Sequence, residues 1–236
     1  MTALALESVT KAIGGVTINR DVSVHLEPGE RRALIGPNGA GKTTLFHIAA
    51  GHLRPTAGRV LLDGRDVTRL PCHRRAQRGL ARTFQITNLL PALTVAENLM
   101  LAVRDPRRPW RRARGVDELL ERVGLTDVRD VPVGSLPYGR QRRLEIIVAV
   151  ARPSSVILLD EPGAGLSSEE TEELMELVFG LGDELAIMFI DHDVELALRL
   201  ATSVTVLHLG AVVAEGTPEE IRESHVLDDI YLGTHA

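Results

Sequence analysis

The alternation of apolar and polar positions along the chain predicts the strands and helices of an α/β protein. Residues 4–6 and 22–26 are short apolar runs of strand type, and a glycine turn at Gly14-Gly15 lies between them. Residues 156–159 are continuously apolar, which is typical of a parallel strand covered on both faces. The same criteria predict further strands at residues 32–35, 59–63, 80–84, 186–190, 204–209 and 212–214.

Apolar residues also recur at helical spacing in several segments. The clearest stripe belongs to a helix predicted for residues 141–151 and consists of Leu144, Ile147, Val148 and Ala151. A second helix is predicted for residues 168–181, with Ser167 or Ser168 as its cap and acidic residues in its first turn. Further helices are predicted after the loop that ends at residue 43, from residue 71 and at residues 116–123. Two short helices are predicted in the C-terminal part of the chain.

The middle of the chain has a different composition. Thr94 and Glu97 have the spacing of a capping box, and apolar residues follow at helical spacing. Residues 104–114 hold six arginines, two prolines and Trp110, the only tryptophan. This arginine run is either a solvated loop or a surface that faces lipid headgroups.

We therefore predict one domain over residues 1–236, because this length suits a single large α/β unit with a small insertion. Its α/β core would comprise residues 1–85 and 152–236. The inserted helical subdomain would span about residues 86–151.

Composition and charge exclude several classes of protein. A net charge of −5 argues against nucleic-acid binding by electrostatics. Cys72 is the only cysteine, so an internal disulfide is excluded and a reducing compartment is favoured. Residues 1–9 lack the basic segment of a signal peptide, and the longest apolar run, residues 146–151, is too short to cross a bilayer. Any role at a membrane is therefore expected to depend on partners.

A phosphate-binding loop follows the strand at residues 32–35. The sequence matches the pattern of glycine, four residues and Gly-Lys-Thr, in which backbone N–H groups face phosphate oxygens at a helix N-terminus. Lys42, one of only two lysines, would reach the terminal phosphates, and the Thr43 hydroxyl would ligate Mg²⁺. The predicted nucleotide-binding residues are Gly36, Pro37, Asn38, Gly39, Ala40, Gly41, Lys42, Thr43 and Thr44.

Two acidic residues follow the buried run at residues 156–159. Beside a phosphate loop, Asp160 is suited to hold Mg²⁺ and Glu161 to polarise the attacking water. Acids at a strand end are common, so the pair is informative only together with the loop.

With these motifs the chain resembles the ATP-binding subunits of ABC transporters over nearly its whole length. Gln85 matches the glutamine that touches Mg²⁺ and the attacking water, and His192 matches the histidine that bonds the γ-phosphate. The family's signature, which completes the partner's ATP site, corresponds to Leu136, Pro137, Tyr138, Gly139 and Arg140. The family's D-loop corresponds to Gly163, Ala164, Gly165, Leu166 and Ser167.

The resemblance implies an α/β fold with the P-loop NTPase core of ABC ATPases, antiparallel strands at the N-terminus and an inserted helical subdomain. It further implies an ATPase with ATP and Mg²⁺ as its ligands, working at the cytoplasmic face of the cell membrane. Glu161, His192 and Gln85 would be catalytic, and Thr43, Gln85 and Asp160 would hold the metal. The implied partners are transmembrane permease subunits, a second ABC ATPase and, indirectly, a solute-binding protein.

Within the family, the chain is most similar to the branched-chain amino acid uptake type, and it also resembles the lipopolysaccharide-export ATPase. The sequence pieces that carry this similarity are Gly14-Gly15, Arg82-Thr83-Phe84-Gln85, Gln141-Arg142-Arg143-Leu144-Glu145 and Tyr231-Leu232-Gly233. The transported solute therefore follows from similarity alone.

Three positions depart from the family pattern. Ile13 stands where an aromatic residue usually stacks on adenine, and Ser167 replaces the usual D-loop aspartate. Pro137 replaces the signature serine and offers neither a hydroxyl nor an N–H group. Because a homodimer would carry Pro137 at both ATP sites, a heterodimer with a subunit that has an intact signature is expected rather than a homodimer.

Two alternatives stay open at this point. A soluble ABC ATPase acting on DNA or ribosomes is disfavoured, because this chain has one cassette and no heptads. A regulatory nucleotide-binding module is suggested by Pro137, whereas Glu161, Gln85 and His192 argue for hydrolysis.

Overall fold

The computed structural model describes residues 2–83, 89–103, 115–151, 154–180 and 182–232. Its strands are β1 (Leu4–Ile13), β2 (Val16–Leu26), β3 (Arg31–Ile35), β4 (Ala57–Leu62), β5 (Arg65–Asp66), β6 (Leu80–Arg82), β7 (Val156–Asp160), β8 (Ala186–Ile190), β9 (Ser203–His208) and β10 (Ala211–Gly216). Its helices are α1 (Lys42–Ala50), α2 (Cys72–Ala76), α3 (Val95–Val103), α4 (Val116–Arg122), α5 (Tyr138–Val150), α6 (Ser168–Phe179), α7 (Val194–Leu200), α8 (Pro218–Glu223) and α9 (Val226–Leu232). None of the helices so described is long and apolar enough to cross a membrane.

Two sheets organise the strands. The central sheet has the order β10-β9-β3-β8-β7-β6, and all its neighbours are parallel except β9 and β10. The second sheet has the order β2-β1-β4-β5 and is antiparallel. The predicted α/β class with antiparallel N-terminal strands is confirmed.

Burial on both faces explains the apolar run of β7. Val156 and Leu158 join a core shared with α1 and the antiparallel sheet. Ile157 and Leu159 point to the opposite face and pack in a second core with α6 and α7. A strand between two cores must be apolar at every position, so periodicity is lost and a continuous run results.

A third core lies between α3, α4 and α5, and its members come from residues 89–147. The capping box predicted at Thr94 is confirmed: the Thr94 hydroxyl accepts the Glu97 N–H, and the Glu97 carboxylate accepts the Thr94 N–H. Leu144 and Ile147 on α5 belong to this third core, while Ile146 turns to the second core. Helix α5 is therefore covered on two sides, not only along the predicted stripe.

Two helix predictions need correction. Helix α5 was predicted to begin at Gln141, but it begins at Tyr138 because Pro137 occupies the N-cap with extended backbone angles and fits immediately before a first turn. Helix α7 was missed altogether. It is a two-turn helix capped by Asp193, whose carboxylate accepts the Leu196 N–H at 3.0 Å.

Candidate active site

The central sheet explains why the predicted site residues come together. Strands β3, β8 and β7 are parallel neighbours, so their carboxyl ends lie at one edge. The phosphate loop follows β3, Glu161 follows β7, and His192 lies two residues beyond β8. Open parallel sheets bind ligands at this edge.

The phosphate loop requires glycine at two points. Gly36 has φ +147°, and a Cβ atom there would lie 2.0 Å from the Leu207 carbonyl oxygen. Gly41 has φ +99°, and a Cβ atom there would lie 2.5 Å from the buried Asn19 amide nitrogen. This amide also donates to the Gly41 carbonyl oxygen at 3.2 Å, immediately before α1 begins at Lys42.

Lys42 is folded onto its own loop. Its Nζ donates to the carbonyl oxygens of Gly36 at 2.5 Å and Pro37 at 3.0 Å. Burial lowers the pKa of Lys42, and the negative charge of Glu161 opposes that shift. The ammonium group is therefore held inside the loop, at the place where a phosphate oxygen would approach.

Glu161 and His192 are in direct contact across this edge. His192 Nε2 lies 2.7 Å from Glu161 Oε1. Glu161 has a left-handed backbone with φ +49°, and its N–H donates to the Ile190 carbonyl oxygen at 2.9 Å. A cleft of about 260 Å³ is lined by Ile18, Asn38, Gly39, Ala40, Gly41, Lys42, Thr43, Thr44, Glu161, Ile190 and His192. A carboxylate, an imidazole and an ammonium group thus line one cleft together with the phosphate loop.

Asp160, the last residue of β7, precedes Glu161 and is only 2% exposed. Its Oδ2 pairs with Arg82 Nη2 at 3.1 Å, and both side chains are buried. Its Oδ1 has no hydrogen-bond partner among the described residues. A buried carboxylate oxygen left unpaired is suited to a metal ion or a metal-bound water.

The signature residues lie away from this cleft. Tyr138 Oη donates to the Ala164 carbonyl oxygen at 3.0 Å, so the signature touches the D-loop segment. A separate hollow of about 290 Å³ is lined by Gly124, Pro137, Gly139, Arg140, Arg143, Leu166, Glu170 and Leu174. Leu136 is buried in the third core. Within one chain the signature does not meet the phosphate loop.

Ser167, at the usual D-loop aspartate position, caps helix α6. Its hydroxyl accepts the Glu170 N–H at 3.2 Å, and the Glu170 carboxylate accepts the Ser167 N–H at 2.9 Å. The bond from the Ser167 backbone N–H, followed by an interaction with the Ser167 side chain, lowers the pKa of the Glu170 carboxyl, because hydrogen bonds to the carboxylate stabilise its charged form. The capping prediction is confirmed, and Ser167 rather than Ser168 is the cap.

One predicted nucleotide-binding position does not line the cleft. Ile13 lies at the hairpin of β1 and β2, is 51% exposed, and is not among the residues lining the cleft, where Ile18 supplies apolar contact instead. Gln85 and the arginine run at 104–114 lie outside the described residues.

Tyr231 approaches the phosphate loop from α9, although no sequence motif predicts a site role for it. Its hydroxyl oxygen accepts the Gly36 N–H at 3.2 Å. Burial raises the pKa of Tyr231, so the phenol stays neutral. Its residue type gave no chemical signal, and only the similarity of residues 231–233 to one transporter type pointed to it.

The chain is similar in sequence and in fold to known ATP-binding cassettes of ABC transporters. The sequence pattern described as "ABC transporter" matches residues 19–164. The chain is 36% identical to the high-affinity branched-chain amino acid transport ATP-binding protein BraF of Pseudomonas aeruginosa, covering 98% of this chain and 97% of BraF. It is 35% identical to the lipopolysaccharide export system ATP-binding protein LptB of Haemophilus influenzae, covering 99% and 98%.

A solved structure agrees with these relatives. The ADP conformation of an ATP-binding cassette from an ABC transporter superposes with a TM-score of 0.86 at 28% identity, covering 99% of both chains. The chain therefore belongs to the ABC transporter family, as an ATPase subunit that binds and hydrolyses ATP.

Proposed function

We propose that this ATPase powers the import of branched-chain amino acids or related small polar solutes, with Mg²⁺ as its metal. The contact between Glu161 and His192 in the cleft that holds Lys42 carries the hydrolytic part of the proposal. Similarity to BraF supports the choice of solute. Similarity to LptB leaves export as the competing direction.

Each residue of the cleft has a role in this proposal. Residues 36–44 cradle the phosphates, and Lys42 exchanges its loop carbonyls for phosphate oxygens. Glu161 orients and deprotonates the attacking water, while His192 holds the Glu161 carboxylate and faces the γ-phosphate.

The donor set fits Mg²⁺. Thr43 lines the cleft, and the Asp160 Oδ1 lies buried and unpaired among the described residues. These two residues and Gln85 would hold the ion. Bound there, Mg²⁺ would neutralise charge that develops on the phosphates.

The proposed domain organisation keeps residues 1–85 and 152–236 as the core and about 86–151 as a helical subdomain. The third core supports this division, because it collects residues 89–147 around α3, α4 and α5. We further propose that the chain is a peripheral subunit on the cytoplasmic side, attached to permease subunits and served by a solute-binding protein.

We also propose that its ATPase partner is a different subunit. In a head-to-tail sandwich, this chain's signature would complete the partner's ATP site. Pro137 supplies no hydroxyl there, and one charge-assisted hydrogen bond to the γ-phosphate would be lost, which is worth roughly 1.5–3 kcal/mol. A partner with an intact signature would leave this chain's own cleft as the faster site.

A mixing experiment tests this asymmetry. We expect Pro137→Ser to raise the turnover of this chain alone by roughly 10- to 100-fold, because the missing bond is restored at both sites of its homodimer. In the mixed dimer, Glu161→Gln should remove most turnover, since the faster site is lost. The asymmetry idea fails if the unmixed wild-type chain already hydrolyses ATP at the rate of the full complex.

Purification from native membranes tests the transport function. A tag on this chain should retain permease subunits and a second ATPase. The reconstituted complex should then hydrolyse ATP faster when its solute-binding protein carries a branched-chain amino acid. Recovery of the chain free of any membrane subunit would favour a regulatory module, and stimulation by an exported lipid would reverse the proposed direction.

A further inference from the structure

Arg142 is a buried side chain of α5 that reaches the backbone next to the proposed catalytic carboxylate. Its side chain is 3% exposed. Its Nε donates to the Pro162 carbonyl oxygen at 3.1 Å, and its Nη2 donates to the Glu161 carbonyl oxygen at 3.0 Å. A longer contact of 3.4 Å joins Nη2 to the Asp160 carbonyl oxygen. One guanidinium group therefore spans three successive carbonyls, with Glu161 at the centre.

The backbone at Glu161 needs such support. Its φ of +49° is a conformation that residues with a side chain adopt only when their surroundings impose it. The Ile190 carbonyl oxygen binds the Glu161 N–H, and Arg142 binds the Glu161 carbonyl. Both peptide groups that flank the Glu161 Cα atom are thereby fixed, and so is the direction in which its side chain leaves toward His192.

Glu145 orients the Arg142 guanidinium group, but the Arg142–Glu145 ion pair contributes little to folding stability. Glu145 Oε2 lies 2.6 Å from Arg142 Nη1, three residues along the same helix. Glu145 Oε1 has no hydrogen-bond partner among the described residues. A buried ion pair with an unpaired oxygen is a poor contribution to folding stability compared with apolar packing. The Nε and Nη2 donors are directed at the backbone carbonyls around Glu161, which indicates a role there.

The position of Arg142 also connects two parts of the molecule. Helix α5 begins immediately after Pro137, at the signature, and Arg142 lies in its second turn. In the proposed sandwich the signature faces the partner's nucleotide, whereas Glu161 serves this chain's own nucleotide. A shift of α5 would therefore move the hydrogen bonds from Arg142 to the Glu161 and Pro162 carbonyl oxygens, which we call the Arg142 clasp.

We infer that Arg142 is a positioning residue for ATP hydrolysis, fixing the strained backbone of Glu161 and linking it to the signature helix. The inference rests on the proposed role of Glu161 as the base. It assigns Arg142 no contact with ATP, so its loss should lower kcat and leave nucleotide binding nearly unchanged.

Three variants test this role in the transporter complex, purified through a tag on this chain. Arg142→Met removes the clasp and keeps an unbranched side chain. Arg142→Lys keeps the charge beside Glu145 but replaces the planar fork with a point donor. Arg32→Met is the matched control. Arg32 is a largely buried arginine that pairs with Glu30 and Glu215, and it lies at the end of β3 far from the phosphate loop.

We expect Arg142→Met to lower kcat about 10- to 100-fold, because a base displaced by about 1 Å can lose that much rate. The KM and Kd for ATP should stay within about threefold of wild type. Arg142→Lys should fall between Arg142→Met and wild type, since an ammonium can hold only part of the clasp. Arg32→Met should lose stability and keep its kcat.

A folded Arg142→Met variant with kcat within about twofold of wild type would overturn the inference. So would an equal loss of kcat in Arg32→Met. If Arg142→Met does not fold, Arg142→Lys decides, and a wild-type kcat there would also reject the role. Should Glu161→Gln itself retain turnover, the proposed base is wrong. Should Glu161→Gln be silent while Arg142→Met is normal, only the present inference fails.

Discussion

Replacing Glu161 with glutamine should lower ATP turnover about 100- to 10,000-fold while ATP binding is retained, the range typical of a lost general base. Glutamine keeps the shape of the side chain and can still contact His192, which lies 2.7 Å from Glu161 Oε1. It cannot accept a proton from the attacking water. Steady-state hydrolysis by the complex and equilibrium binding of ATP would separate the two effects.

The control for this substitution is Glu172→Gln. Glu172 is a glutamate on α6 that pairs with Arg199 at the surface, away from the cleft. Its variant should keep full turnover, because surface ion pairs of this kind contribute little. A Glu161→Gln variant that retains more than about a tenth of wild-type turnover would place the base elsewhere.

Replacing Arg75 with methionine should cost about 3 kcal/mol or more of unfolding free energy, because several buried carbonyls lose their donor at once. Arg75 is fully buried and donates to four carbonyl oxygens, which belong to Ile48, Ala49, Thr68 and Leu70. Two of these are at the C-terminal end of α1, the helix that carries the phosphate loop. Burial lowers the pKa of Arg75 to about 10, so the group still carries its charge at neutral pH.

Denaturant unfolding measures this loss, with Arg74→Met as the control. Arg74 is the exposed neighbour of Arg75, and its only described side-chain bond is to Gln77. Its variant should stay within about 0.5 kcal/mol of wild type. A loss below about 1 kcal/mol in Arg75→Met would mean that its carbonyls find water or other donors.

Elements with a strong local signal were predictable from the sequence. The apolar run of β7, the glycines of the phosphate loop and the Thr94 capping box each have a local cause. The two acids after β7 gained meaning only beside the loop. The acids and the phosphate loop come together only because β3, β8 and β7 are neighbours in the sheet, and local sequence patterns do not contain this strand order.

Features with a weak local signal, or with contacts to distant segments, were not predictable from the sequence. The start of α5 was placed three residues late, because a proline preceding Tyr138-Gly139 gives no helical periodicity. Arg142 was part of a quoted sequence piece, yet its bonds to carbonyls twenty residues away exist only in the folded chain. Helix α7 has only seven residues, too few for its period to stand out.

The contact of Lys42 with its own loop has a consequence for nucleotide capture. The Lys42 side chain is buried, and its ammonium group has two carbonyl acceptors within its own loop. A phosphate that binds there would replace the carbonyl acceptors of Lys42 by anionic oxygen atoms. The ammonium group would not first have to lose a hydration shell. These contacts hold Lys42 in a defined position within the loop, so the conformational entropy of this side chain is lost during folding and not on nucleotide binding.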